Sequence, residues 1–171
     1  GATAVQAVPE LAKIVGELYV FQRTPSSIDV RDQRVTAPQE IENWKEEPGW
    51  ARARRKRFSK ISAGRSAIQA NDDYLAGKVE HFKERKEHSR KLTPEEMVGK
   101  QLDSNFRIME QIRARVDAIV EDPETARALK PYYPYGCKRP TFHDEYLPTF
   151  NLPNVHLVDT APICVTNINE N

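Results

Sequence analysis

The chain has 171 residues, 30% of them charged, with 26 basic against 25 acidic side chains. So even a balance argues against a protein devoted to nucleic acid, and no apolar run approaches the roughly 18 residues that span a bilayer. The two cysteines, Cys137 and Cys164, make no metal spacing and no disulfide framework, which favours a reducing, cytoplasmic compartment.

In chain order, the first 30 residues read as a helix, a strand and a polar loop. GATAVQAVPELAK has a helical pattern, Leu18-Tyr19-Val20-Phe21 is an apolar run, and the polar cluster Gln22-Arg23-Thr24-Pro25 follows it. This text reads as the later part of a dinucleotide-binding βαβ unit whose first strand would lie before Gly1. Residues from about 36 to 130 are charged and almost wholly helical, and 131–171 return to Pro, aromatic and β-branched strand-like text. A helical block (36–130) inserted into an α/β domain (1–35 and 131–171) accounts for this order. Such a unit brings strand 18–21 parallel to strand 155–158, with ligand loops at the carboxyl ends, so Arg23 and Lys138 are expected to converge there.

The helical block is punctuated. Thr93-Pro94-Glu95-Glu96 is a capping box with proline at the first helical position. Leu102, Phe106, Met109, Ile112, Val116 and Ile119 recur at spacings of three or four, predicting a core-facing stripe on a helix that runs to about Val120. Asp122-Pro123 starts a last short helix, which Pro131 ends. Upstream, ARARRKRFSK holds six cations and no acid; flanked by Glu46-Glu47 and Asp72-Asp73 and without interleaved aromatic platforms, it reads as a solvated helix face. His81 and His88 share a helical face at best, with no carboxylate or cysteine to complete a ligand set, so no metal site is expected.

The outer segments carry the chemistry. In a βαβ dinucleotide unit a group about 20 residues past the glycine turn reads the adenosine ribose, and an acid there selects NAD. Here the strand ends in Gln22-Arg23-Thr24 instead. A guanidinium pairs bidentately with phosphate and a threonine hydroxyl can donate to the same group, so these residue types suit a 2′-phosphate and hence NADPH. The second constellation is YPYGCKRP, where Gly136 and Pro140 bracket Lys138 and Arg139. Adjacent residues of extended chain point to opposite sides, so one cation can face the adenosine phosphate and the other a different part of the site. A surface loop with two solvated cations is the alternative for this segment taken alone.

Together GATAVQAVPELAK, LYVFQRTP and YPYGCKRP with FNLPNVHLVD resemble, in sequence, order and separation, the NADPH-binding domain of the Baeyer–Villiger monooxygenases, class B flavoproteins. The Gln-Arg-Thr-Pro and Lys-Arg-Pro motifs stand about 115 residues apart across the helical block. The resemblance implies a partial Rossmann-like NADP-binding domain with a mainly helical insertion. It implies that Gly1 and Ala4 occupy the second and third positions of the family's Gly-x-Gly-x-x-Gly/Ala turn, with Thr3 and Gln6 beside them in the cofactor site. It further implies that Arg23, Thr24 and Lys138 hold the NADP 2′-phosphate, and that Arg139 is the active-site arginine that lies beside the flavin and stabilises the anionic peroxyflavin.

The family's earlier FAD glycine motif and its Phe-x-Gly-x-x-x-His-x-x-x-Trp fingerprint do not occur in the chain, which is therefore expected to be an internal piece, with NADPH, FAD and the remainder of the FAD domain as partners. The parent is expected to convert ketones to esters or lactones, a reaction the piece alone should not perform. Two other readings stay open: a related flavin monooxygenase oxidising nitrogen or sulfur, and a non-enzymatic helical interaction module binding an acidic partner. Lys138-Arg139-Pro140 after a long helical insertion favours the first reading.

Overall fold

The computed structural model describes residues 1–46, 48–62 and 93–169. His81, His88 and the Asp72-Asp73 pair lie outside the described residues. In order along the chain come α1 (Ala2–Ala12), β1 (Leu18–Gln22), β2 (Ile28–Asp29), α2 (Pro38–Lys45), α3 (Trp50–Ser62), α4 (Pro94–Ile119), α5 (Pro123–Leu129), β3 (Thr141–Phe142), α6 (Tyr146–Thr149) and β4 (Val155–Asp159). Helices and parallel strands are thus mixed. The chain forms two compact units, Gly1–Arg31 with Lys100–Asn171, and Asp32–Gly99.

In the first unit β1 and β4 pair in parallel, with Leu18 opposite Val155 and Gln22 opposite Asp159, the pairing predicted for 18–21 and 155–158. Asn154 starts the pair. Its carbonyl accepts from the Leu18 amide at 2.8 Å while its side-chain amide donates to the Ala12 and Val15 carbonyls at 3.1 and 3.0 Å, so the end of α1 is tied to the amino end of the sheet. Val5, Val8 and Ala12 of α1 are buried in one cluster with Val155, and Leu18, Val20 and Leu157 pack against it. On the other face Tyr19 stacks on its register partner His156, with ring centroids 4.8 Å apart.

The same cluster takes in Val116 and Val120, Ala126 and Leu129, and Tyr146, Leu147 and Phe150, so the later turns of the long helix belong to this unit. The predicted stripe is buried only in part. Met109, Ile112 and Val116 are buried, but Leu102 and Phe106 are 49% and 62% exposed. Helix α4 closes at Ile119, whose carbonyl accepts from the Asn151 amide at 2.8 Å. Helix α5 then starts as predicted, the Asp122 carboxylate accepting from the Thr125 amide at 2.8 Å.

A second parallel pair, β2 with β3, matches Ile28 to Thr141 and Asp29 to Phe142. Arg115, half-buried on α4, donates to the Ile28 carbonyl at 3.1 Å and the His143 carbonyl at 3.2 Å, and so holds both strands at one point. Burial pushes its pKa down, against the opposing charges of Asp29 and Asp144.

In the second unit the Thr93 hydroxyl accepts from the Glu96 amide at 3.2 Å while Glu96 accepts from the Thr93 amide at 2.8 Å, the reciprocal capping box read from the sequence. Trp44 and Trp50 stack with centroids 4.8 Å apart, and the Arg54 guanidinium lies 5.1 Å from the Trp44 ring. The basic stretch is therefore helical, with Arg52, Arg55 and Lys56 exposed.

Candidate functional site

The carboxyl end of β1 is fixed before the chain leaves it. The Gln22 carbonyl accepts from the Thr160 amide at 2.7 Å and its hydroxyl at 3.1 Å, while the buried Gln22 side chain donates to the Ala128 carbonyl at 2.9 Å. Arg23 follows and is exposed, Thr24 is half-buried, and Pro25 is buried. The last turn of α1 is tied to the amino end of the strands by Asn154, and its buried face belongs to the cluster against which Leu18, Val20 and Leu157 pack.

Gly1 is the N-cap of α1, and among the described residues no side chain caps the helix. A helix start leaves its first amides without intrahelical partners and carries positive dipole, a combination that suits a phosphate. Thr3, Ala4 and Gln6 are exposed on the first turns, whereas Val5 is buried between them.

Lys138 and Arg139 are both exposed, in a segment braced from several sides. On α4, Asn105 donates to the Tyr135 carbonyl at 2.9 Å and accepts from the Tyr135 amide at 2.7 Å. Arg113 donates to the Pro131 carbonyl at 2.9 Å. The Cys137 amide closes a turn on the Pro134 carbonyl at 3.1 Å, and Gly136 within it has φ +92°, a conformation open to glycine and strained for other residues.

One side chain links the two cationic segments. The Tyr133 hydroxyl donates to the Pro25 carbonyl at 2.9 Å and accepts from the Ser27 amide at 3.1 Å, and the Lys138 ammonium lies 5.1 Å from the centre of the same ring. The loop after β1 and the Lys138 segment are thus joined. Lys13, Arg34, Lys45, Arg113, Arg127, Lys130 and His156 all sit within ion-pair reach of carboxylates. Among the described residues, no carboxylate pairs with Arg23, Lys138 or Arg139. Cations on braced segments with no carboxylate partner among the described residues suit an anion that arrives with a ligand. Asn105 and Tyr133 were given no role from the sequence, and Gln22 was read only as part of the Gln-Arg-Thr-Pro cluster; all three act by hydrogen bonds to distant backbone, which leaves no local pattern.

No protein-family profile matches the chain. A ketocytochalasin monooxygenase of Aspergillus clavatus is 45% identical over 165 residues, which are 94% of this chain and 26% of that protein. The Baeyer-Villiger monooxygenase ATR8 of Stachybotrys chlorohalonatus is 44% identical over 174 residues, with the same coverage of 94% and 26%. The solved polycyclic ketone monooxygenase of Thermothelomyces thermophila matches with TM-score 0.70 at 44% identity over 94% of this chain and 27% of its own.

The chain is homologous to a segment of the Baeyer–Villiger monooxygenases. It spans about a quarter of the length of these relatives. The structure of OTEMO in complex with FAD and NADP matches with TM-score 0.57 at 25% identity, over 93% of this chain and 30% of that one. No described helix is long and apolar enough to cross a membrane, and among the described residues no cluster of three His, Cys, Asp or Glu side chains could hold a metal ion.

Proposed function

We propose that this chain is the NADP-binding part of an FAD-dependent Baeyer–Villiger monooxygenase, which consumes NADPH and O2 and inserts one oxygen atom into a ketone to give an ester or lactone and water. Residues 1–35 and 131–171 form the two parts of a Rossmann-like domain, 36–130 its helical insertion, and the remainder of the FAD domain the partner surface. Both cysteines are free, in keeping with a reducing compartment such as the cytoplasm.

The observation that carries the reading is a set of cations, Arg23, Lys138 and Arg139, that no carboxylate pairs among the described residues, on segments tied to the carboxyl end of a parallel sheet. Ligands of open α/β sheets bind at that end. When bound, NADPH supplies a hydride. Arg23 and Lys138 hold the 2′-phosphate, and the Thr24 hydroxyl donates to it. The first turn of α1, with Gly1, Thr3, Ala4 and Gln6, lies along the pyrophosphate, where its amides donate to phosphate oxygens. Arg139 offers its positive charge to the negatively charged oxygen that attacks the ketone.

The test is oxidation of a ketone panel by the full-length enzyme under 18O2, with NADPH consumption and products followed together. Esters or lactones carrying one labelled oxygen are expected. NADPH consumed with only sulfoxides or N-oxides formed would instead assign the chain to a flavin monooxygenase of the nitrogen- or sulfur-oxidising kind.

A further inference from the structure

We infer that Tyr133 is a positioning residue for cofactor discrimination: it sets the Lys138 ammonium and the Arg23 loop in one frame, so that selection of the 2′-phosphate depends on its phenol. The inference rests on the reading of Lys138 and Arg23 as phosphate ligands. A lysine carries its charge on a flexible four-carbon stem and has no preferred point in space unless something holds it. Here the Tyr133 ring does so, at 5.1 Å, within the distance at which a cation is drawn to an aromatic face.

The ring is itself oriented by its hydroxyl. Donation to the Pro25 carbonyl at 2.9 Å and acceptance from the Ser27 amide at 3.1 Å use the phenol in both senses. Pro25 lies two residues beyond Arg23, on the strand exit that Gln22 fixes. The Thr141 amide and hydroxyl add 3.0 and 2.8 Å bonds to the Ser27 carbonyl, closing the loop on the far side of Lys138 and Arg139. One phenol therefore joins segments more than a hundred residues apart in sequence and also seats the lysine.

The test uses the full-length enzyme and compares KM for NADPH and NADH in Tyr133→Phe, Tyr133→Leu, Lys138→Ala and the Tyr133→Leu/Lys138→Ala double variant. Loss of one hydrogen-bonding hydroxyl in Tyr133→Phe should raise KM for NADPH roughly three- to tenfold and that for NADH by much less, since NADH has no 2′-phosphate to misplace. Tyr133→Leu, which also removes the ring under Lys138, should go further. Residues that act together are not additive, so the double variant should raise KM for NADPH by less than the product of the two single effects. Equal changes with both cofactors, no change in Tyr133→Phe, or a full product in the double variant would each overturn the inference. If Tyr133→Leu fails to fold, Tyr133→Phe keeps the ring and decides alone. If Lys138→Ala leaves KM for NADPH unaltered, the phosphate reading and this inference fall together; if Lys138→Ala raises it and Tyr133→Phe does not, only this inference falls.

Discussion

Gln22 and Ala128 are joined by a 2.9 Å hydrogen bond from the glutamine amide to the alanine carbonyl, across 106 residues of sequence. With Thr160 bound to the Gln22 carbonyl, the residue before Arg23 is held through both its side chain and its backbone. The arginine thus leaves a fixed base into open space.

From that base, Arg23→Ala in the full-length enzyme should raise KM for NADPH far more than KM for NADH. A charge-assisted hydrogen bond contributes roughly 1.5–3 kcal/mol, which corresponds to about a tenfold to hundredfold effect. Steady-state kinetics with each cofactor decide it. Equal losses would make Arg23 a structural residue.

Lys138 and Arg139 are neighbours with different expected tasks. Lys138→Ala should weaken NADPH binding yet permit ester formation at saturating cofactor. Arg139→Ala should reduce ester formation by about 100- to 1000-fold, the usual cost of removing one fixed donor to developing oxyanion charge, while NADPH still binds and reduces the flavin more slowly. Stopped-flow flavin reduction paired with product analysis separates the two. Near-normal ester formation by Arg139→Ala would refute the catalytic assignment.

In the Asp32–Gly99 unit, pH acts on Glu40. Its carboxylate receives two 2.7 Å bonds from the Arg34 guanidinium and a 2.9 Å bond from the Ala37 amide, which together lower its pKa from 4.5 to about 2. A depressed carboxyl stabilises the fold above its ordinary value and loses that contribution as pH falls through the folded value, so the window lies between 4.5 and about 2. Amide exchange in Pro38–Lys45 should therefore be faster in Glu40→Gln than in the unmodified protein above pH 4.5, and the gap should close as pH falls towards 2. A gap that is the same at every pH would show that the charge of Glu40 does not stabilise α2.

Leu147 is 0% exposed and sits in the cluster that joins α1, α4 and β4. Leu147→Ala should lower stability by about 2–5 kcal/mol, the usual range for a truncated core leucine, read as a shift of the urea midpoint. A shift equivalent to less than about 1 kcal/mol would mean that the site collapses onto the smaller side chain.

Short-range signals were legible in the sequence because their partners lie within a turn or two. Thr93 with Glu96 and Asp122 with Thr125 are three residues apart, and the apolar spacing of α4 is local by nature. The pairing of β1 with β4 was also legible, since a βαβ-type order allows few arrangements of two apolar runs. Periodicity names a face but not what covers it, so only the tertiary structure decided that Met109 is buried and Phe106 exposed. Strands of two residues, such as Ile28–Asp29 and Thr141–Phe142, are too short to alternate visibly, and the arginine that bonds to the Ile28 and His143 carbonyls, Arg115, reaches them from a distant helix. The cationic residue types at Arg23 and Lys138 were in the sequence from the start. That a tyrosine hydroxyl ties one loop to the other, and its ring seats the lysine, is a contact across more than a hundred residues, which exists only once the chain has closed on itself.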